Sequence, residues 1–151
     1  MKWVSEDIAM YKEASEYVDT VIIPLQPYSF TLKGEDMAER AVQSQLLTKL
    51  VEGVESQYKG RVFLTHPYVY KEDVDAIEVE RLNDWTAHMH QSGLVNVLYF
   101  TYDMKWKKVE RELKGELVWL TAPAGNASSE SDMKALHNQV KQVSELVESY
   151  W

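Results

Sequence analysis

The spacing of apolar residues along this chain alternates between helical steps of three and four and short unbroken runs. Ser5 is an N-cap type followed by Glu6 and Asp7, and Ile8, Tyr11, Ala14 and Val18 keep helical spacing after it, so a first helix is predicted there. Val21-Ile22-Ile23 then reads as a buried strand ended by Pro24. A polar connection, Gln26 to Gly34, leads into a second helix from about Glu35 to Tyr58, with Ala38, Ala41, Val42, Leu46, Leu50 and Val54 on its apolar face and Gly60 as the stop. The second strand is Arg61-Val62-Phe63-Leu64-Thr65, closed by Pro67. A third helix begins near Glu72-Asp73, turns Val74, Ile77, Leu82, Trp85 and Met89 inward, and ends at Gly93. Strands follow at Leu94 to Phe100 and Leu117 to Thr121, the latter with Pro123 behind it. The last helix, from about Ser129 to Tyr150, repeats Met133, Leu136, Val140, Val143, Val147 and Tyr150 as an amphipathic stripe. Between the last two strands, Trp106, Val109 and Leu113 fit a short helix, while Lys114-Gly115 as a turn would make residues 105–114 an antiparallel strand instead.

Apolar strands alternating with long helices predict one α/β domain over residues 1–151. The expected architecture is a three-layer sandwich with a mostly parallel sheet of four or five strands, flavodoxin-like or Rossmann-like, and helices on both faces. Leu64-Thr65-His66-Pro67 and Leu120-Thr121-Ala122-Pro123 close two of the strands with the same exit chemistry, which is too little to make a repeat.

Composition narrows the function classes. With no cysteine, disulfides, thiolate metal sites and cysteine nucleophiles are excluded. Lys and Arg number 16 against 24 Asp and Glu, a net charge of −8, which argues against a nucleic-acid binder. No apolar run approaches the roughly 20 residues of a membrane span, and the acidic start lacks a signal-peptide core, so a cytoplasmic protein is expected. His88 and His90 would point about 200° apart on a helix, His137 is remote, and no metal or cofactor motif occurs, so neither a metal nor a cofactor is predicted. The six glycines make no phosphate-binding fingerprint. Lys105, Lys107, Lys108, Arg111 and Lys114 outnumber Glu110 and Glu112, a local excess that is either a solvated face or a guide for anions. Asn126-Ala127-Ser128 matches a glycosylation acceptor that a cytoplasmic protein would not use.

In an open parallel sheet, ligands lie outside the carboxyl ends of the strands. The sequence places Gln26, Ser29, Thr65, Tyr68, Tyr70, Thr101, Tyr102, Thr121 and Asn126 among the residues of that edge, a set suited to a small polar ligand such as a sugar or nucleoside. The same residue types also serve turns and caps. His66 and Asp103, at two strand ends, are the candidates for acid–base work, the carboxylate orienting the imidazole; their structural alternatives are a loop histidine and a helix N-cap. Trp85 and Trp119 are expected in the core, whereas Trp3, Trp106 and Trp151 are candidates for a contact patch, and the last stripe for a homodimer or protein-partner seam.

Lys2-Trp3 through Tyr11, Tyr17-Val18-Asp19-Thr20 and Ile22-Ile23-Pro24-Leu25 resemble the YpiF-like family, a domain-of-unknown-function family of Bacillus-type Firmicutes. The resemblance passes on no catalytic or binding residue. It implies a gene neighbourhood beside a menaquinol:cytochrome c reductase, and with it an accessory role in respiration. Two readings follow: a non-catalytic binding or accessory protein, or an enzyme or sensor holding a small polar ligand at the strand exits.

Overall fold

The β-branched run Val21-Ile22-Ile23 lies in the middle of the sheet, and its strand continues well past the proline that was expected to end it. In the structure, a computed structural model that describes residues 1–125 and 128–151, β1 runs Thr20–Tyr28 through both Pro24 and Pro27. Backbone direction explains why. Thr20 N–H donates to the Arg61 carbonyl and the Ile22 carbonyl accepts from Thr65 N–H, so even positions of β1 face β2, Val62–Leu64. Pro24 faces that side just where β2 stops. Odd positions face β4, Asn96–Thr101, since the Asp19 carbonyl accepts from Asn96 N–H. Pro27 faces that way beyond the last pair of the ladder, Pro24 with Phe100. Each missing donor falls where no neighbouring strand would have used it.

The second strand does not end at Pro67. It is interrupted, then resumes as β3, Tyr68–Lys71, parallel to residues 25–28 of β1. Three residues separate Leu64 from Tyr68, whereas only Ile23 and Pro24 separate their partners Ile22 and Leu25. Three residues cannot step across β1, so β3 stays on the β2 edge. The surplus residue is a bulge, and it resets which alternate side chains face which layer. Phe63, Tyr68 and Tyr70 therefore share one face, and Val62 and Leu64 the other.

The strand order is β2–β1–β4–β5, with β5 at Glu116–Trp119 and β3 extending the β2 edge, and every ladder is parallel. The protein is thus an α/β sandwich with an open sheet. One face is covered by α2 (Gly34–Gln57) and α4 (Glu130–Glu148), which bury Leu46, Leu50, Val54, Val140, Val143 and Val147 against Ile22, Leu98 and Phe100. These helices come close at Gly53, where an added Cβ would stand 2.9 Å from a Val140 methyl carbon. The other face is covered by α1 (Ser5–Ala14), α3 (Ala76–Gln91) and a 3₁₀ segment, Met104–Glu112.

That 3₁₀ segment makes residues 105–112 helical in kind, and Leu113 and Lys114 after it belong to neither a helix nor a strand, so 105–114 holds no antiparallel strand. Its threefold spacing eclipses Trp106 with Val109, and Trp106 is wholly buried. Asn83 of α3 clamps its end, donating to the Glu112 carbonyl at 2.8 Å and accepting from Lys114 N–H at 2.9 Å.

Several boundaries shift. Ser5 is the first residue of α1 and not its cap; Asp7 instead accepts from Lys2 N–H. Asp75, not the Glu72-Asp73 pair, opens α3, accepting from Glu78 N–H at 3.0 Å. Ile77 and Met133, expected inside, are 73% and 60% exposed because each sits in a first turn that overhangs the sheet. Trp119, expected in the core, is 37% exposed on the outermost strand. The expected trio of contact tryptophans also divides. Trp3 is exposed, Trp106 is core, and Trp151 packs on Tyr58 while its indole donates to Thr20 Oγ1 at 2.7 Å. Among the described residues, no helix is long and apolar enough to cross a membrane.

Candidate functional site

The chain leaves β1 for α2 on one face and leaves β4 for the 3₁₀ segment on the other. Two neighbouring strands that send their connections to opposite faces open a crevice at their carboxyl ends. Here that crevice is a cavity of about 120 Å³ between Gln26 and Pro27 of β1, Arg40 and Ser44 of α2, and Tyr102 and Asp103 after β4.

Its walls are tied by hydrogen bonds. Ser44 Oγ donates to Gln26 Oε1 at 3.1 Å, and Gln26 Nε2 donates to Thr48 Oγ1 and to the Ser44 carbonyl. Tyr102 donates to Gln139 Oε1 at 2.8 Å, and Gln139 Nε2 in turn donates to the Thr121 carbonyl. Asp103 sits at the junction. It accepts from Lys105 N–H at 3.0 Å, as the N-cap of the 3₁₀ segment; it accepts the Tyr70 phenol at 2.6 Å; and it pairs with Lys105 Nζ at 3.1 Å. Burial, and then the Asp103 charge, hold the Tyr70 hydroxyl far above its ordinary pKa. The phenol therefore stays a donor.

The sequence-based candidates fall in different places. His66 and Asp103 do not meet. Because the strand resumes at Tyr68, His66 lies halfway along the sheet's edge, beside a separate cavity with Trp3, Pro24 and Thr65, and the carboxylate expected to orient it is held by Tyr70. Thr65 donates to the His66 carbonyl at 2.8 Å and steadies the bulge. Tyr68 is buried and donates to the Glu78 carboxylate. Thr101 is buried under the crevice, donating to the Leu25 carbonyl at 3.3 Å and accepting from Asp103 N–H at 2.9 Å. Thr121 is exposed and contributes only its carbonyl to Gln139. Ser29 turns to Thr31 and lines a neighbouring cavity under Tyr28, Phe30 and Met37. Asn126 lies outside the described residues. Of the predicted set, then, Gln26, Tyr102 and Asp103 line the crevice, and Thr101 is buried and accepts from Asp103 N–H.

A model of the family described as "Protein of unknown function (DUF2487)" matches residues 9–151. The chain belongs to this family. It is also 28% identical over 151 residues to "Uncharacterized protein YpiF" of Bacillus subtilis (strain 168), a match covering 100% of this chain and 98% of that one. No solved structure matches. The resemblance in the opening segments thus extends along the family domain.

Two residues beside the crevice, Arg40 and Glu72, were not among the sequence-based candidates, whereas Tyr70 was placed on the strand-exit edge and Lys105 in the basic cluster that could guide anions. Arg40 lines the crevice from α2 and stands 2.9 Å from Glu72. Lys105 Nζ is 3.9 Å from the other oxygen of Glu72. One signal was available for Tyr70. The alternation Tyr68-Val69-Tyr70-Lys71 has strand period, and its exposure also alternates, but Pro67 masked it. Among the described residues no group of three or more His, Asp or Glu is placed to hold a metal ion.

Proposed function

We propose that this chain is a non-catalytic binding protein that recognises a small polar ligand in the crevice between the ends of β1 and β4. The observation that carries this reading is the convergence of Gln26 from β1, Arg40 and Ser44 from α2, and Tyr102 and Asp103 from the segment after β4 on one open cavity. Support for a non-catalytic role comes from Asp103, whose carboxylate oxygens are engaged in capping the 3₁₀ segment and holding Tyr70. An accessory role in respiration, as the family's gene neighbourhood implies, is compatible with such a sensor. Amide chemical-shift mapping against a panel of sugars, nucleosides and small organic acids tests it. Shifts centred on Gln26, Ser44 and Asp103, unchanged in His66→Ala, are expected. Shifts centred on His66, or none at all, would overturn it.

A second reading rests on Phe30, which is 87% exposed and meets Tyr28 edge-on at 6.0 Å, with Met37 exposed beside them. A second copy of the chain would cover this rim. Sedimentation then shows a dimer that Phe30→Ser dissociates; a monomer at high concentration removes the reading.

A further inference from the structure

Glu72 is the only non-glycine residue with positive φ among the described residues, at +34°. Asp73 N–H donates to the Lys71 carbonyl across it, closing a tight three-residue turn. Such backbone is strained, and it persists only where surrounding contacts hold it. What holds it here is the side chain. The Glu72 carboxylate reaches over the end of the sheet to Arg40 of α2 at 2.9 Å and Lys105 of the 3₁₀ segment at 3.9 Å. These two cations come from opposite faces of the sheet and share Glu72 at the edge of the crevice, which Arg40 lines together with Asp103 and Met104, the neighbours of Lys105.

We propose that Arg40 and Lys105 form a recognition site for an oxyanion, the phosphate or carboxylate group of a small ligand, and that Glu72 occupies this site as an internal surrogate until the ligand displaces it. This rests on the crevice reading above and names its ligand class.

Three observations favour displacement. First, Glu72 serves the cations poorly: its Oε1 lies close to Arg40 yet makes no aligned hydrogen bond, and its Oε2 is distant from Lys105. A free oxyanion is not tethered to backbone and can meet the guanidinium fork with two parallel bonds. Second, releasing Glu72 relaxes the turn, which gives the ligand the difference in affinity between the two states that a switch requires. Third, Asp103 keeps Lys105 aimed at this edge through a 3.1 Å contact that does not involve Glu72. Asp103 is in this sense a positioning residue, fixed in turn by Tyr70. The adjoining cavity of about 120 Å³, lined by Arg40 and Asp103, has room for the charged end of a ligand and leaves the remainder toward solvent.

The test is amide chemical-shift titration of the full chain with sodium phosphate, sodium succinate and neutral ribose, each at constant ionic strength balanced by chloride. In the wild type, phosphate or succinate is expected to move Gln26, Ser44, Asp103 and residues 72–75. Glu72→Gln should bind the same anion about tenfold tighter, because the competent state is no longer occupied from within. Lys105→Gln and Arg40→Gln should each weaken it about tenfold or more. Thermal melts confirm that each variant is folded, and Lys105→Gln carries the test if Arg40→Gln is not. Response to phosphate alone assigns a phosphate ligand, and response to succinate alone a carboxylate. Shifts no larger than those in chloride, or unchanged affinity in Glu72→Gln, overturn the proposal. If ribose alone moves the crevice, the oxyanion inference falls and the crevice reading stands. If nothing moves it, both fall.

Discussion

One face of the sheet is almost wholly aliphatic, whereas the other mixes aliphatic side chains with the buried phenols. Under α2 and α4 the buried residues are Leu, Ile and Val, with Phe100 the aromatic exception among the fully buried set. Under α3 and the 3₁₀ segment lie Phe63, Tyr68, Tyr70, Tyr99 and Trp106, and each tyrosine hydroxyl has a partner. Tyr68 meets Glu78, Tyr70 meets Asp103, and Tyr99 meets Thr86 while accepting from Gly115 N–H. The two faces solve different problems. Alkyl groups pack without directional demands, so the first face stabilises the sheet and little else. Buried phenols must be paired, so each fixes a carboxylate or a loop in one place. On the crevice's β4 side, Asp103 is anchored to the second face through Tyr70, while Tyr102 leans on the first through Gln139.

Truncating the core on either side should separate these roles. Trp106→Ala removes the ring on which Tyr68 and Tyr70 stand edge-on, and should cost about 3–5 kcal/mol in urea unfolding. Leu50→Ala on the aliphatic face should cost about 2–5 kcal/mol. The contrast lies in the amide spectrum. Trp106→Ala should displace Asp103 and its neighbours, whereas Leu50→Ala should leave them near their native positions. Equal displacement in both variants would show that the faces do not differ in what they control.

A gentler change sharpens the same point. Tyr70→Phe keeps the ring and deletes one hydroxyl, leaving buried Asp103 short of a donor, and should cost about 1–3 kcal/mol. It should also alter the response to alkali. Burial and the Asp103 charge raise the Tyr70 pKa in the fold, so the unfolded chain loses this proton first, near pH 10. The stability this contributes is complete below that pH and is lost as pH rises further. Tyr58, which touches the aliphatic core, is pushed up to about 12 by burial and by Glu148, and adds to the same limb. Urea midpoints at pH 8 and pH 11 should therefore fall less in Tyr70→Phe than in the wild type. An identical fall would mean that the Tyr70 phenol is not held neutral.

The aliphatic face was readable in advance, because stripes such as Leu136, Val140, Val143 and Val147 depend only on the 3.6-residue period. The strand exits as the place to look for a site likewise follow from parallel strands alone. Asp103 was legible as a cap, since its side chain bonds two residues along the chain. Glu72 was not, and Tyr70 was legible only as a loop residue of the strand exit, not as part of a strand. Their roles depend on a one-residue bulge at 65–67 that moves a whole segment into line with β1, and proline there reads as an ending. His66 was misplaced by the same feature. The pairing of Arg40 with Lys105 joins residues 65 positions apart, and no local pattern signals it.

The smallest effect is expected at the far end of the sheet, where neither face's chemistry reaches the crevice. Asp19 pairs with Arg61 through two contacts of 3.1 Å, and Arg61 lies 4.0 Å over the Trp151 ring. Burial pushes the Asp19 carboxyl upward, but hydrogen bonds from Arg61 and Thr20, with the Arg61 charge, outweigh it and hold the net pKa below its ordinary value. The unfolded chain thus takes up this proton first as pH falls. The contribution is complete above the unfolded value near pH 3.9 and is lost as pH drops through the lower folded one. Both side chains are a third or more exposed, so solvent screens the pair and it should be worth no more than about 1 kcal/mol. Asp19→Asn should lower the urea midpoint slightly at pH 7, flatten the acid limb, and leave the amides of Gln26, Ser44 and Asp103 in place. Movement of those amides would mean that the sheet transmits strain from one end to the other, and the division of labour between its faces would then be secondary to a coupling along its strands.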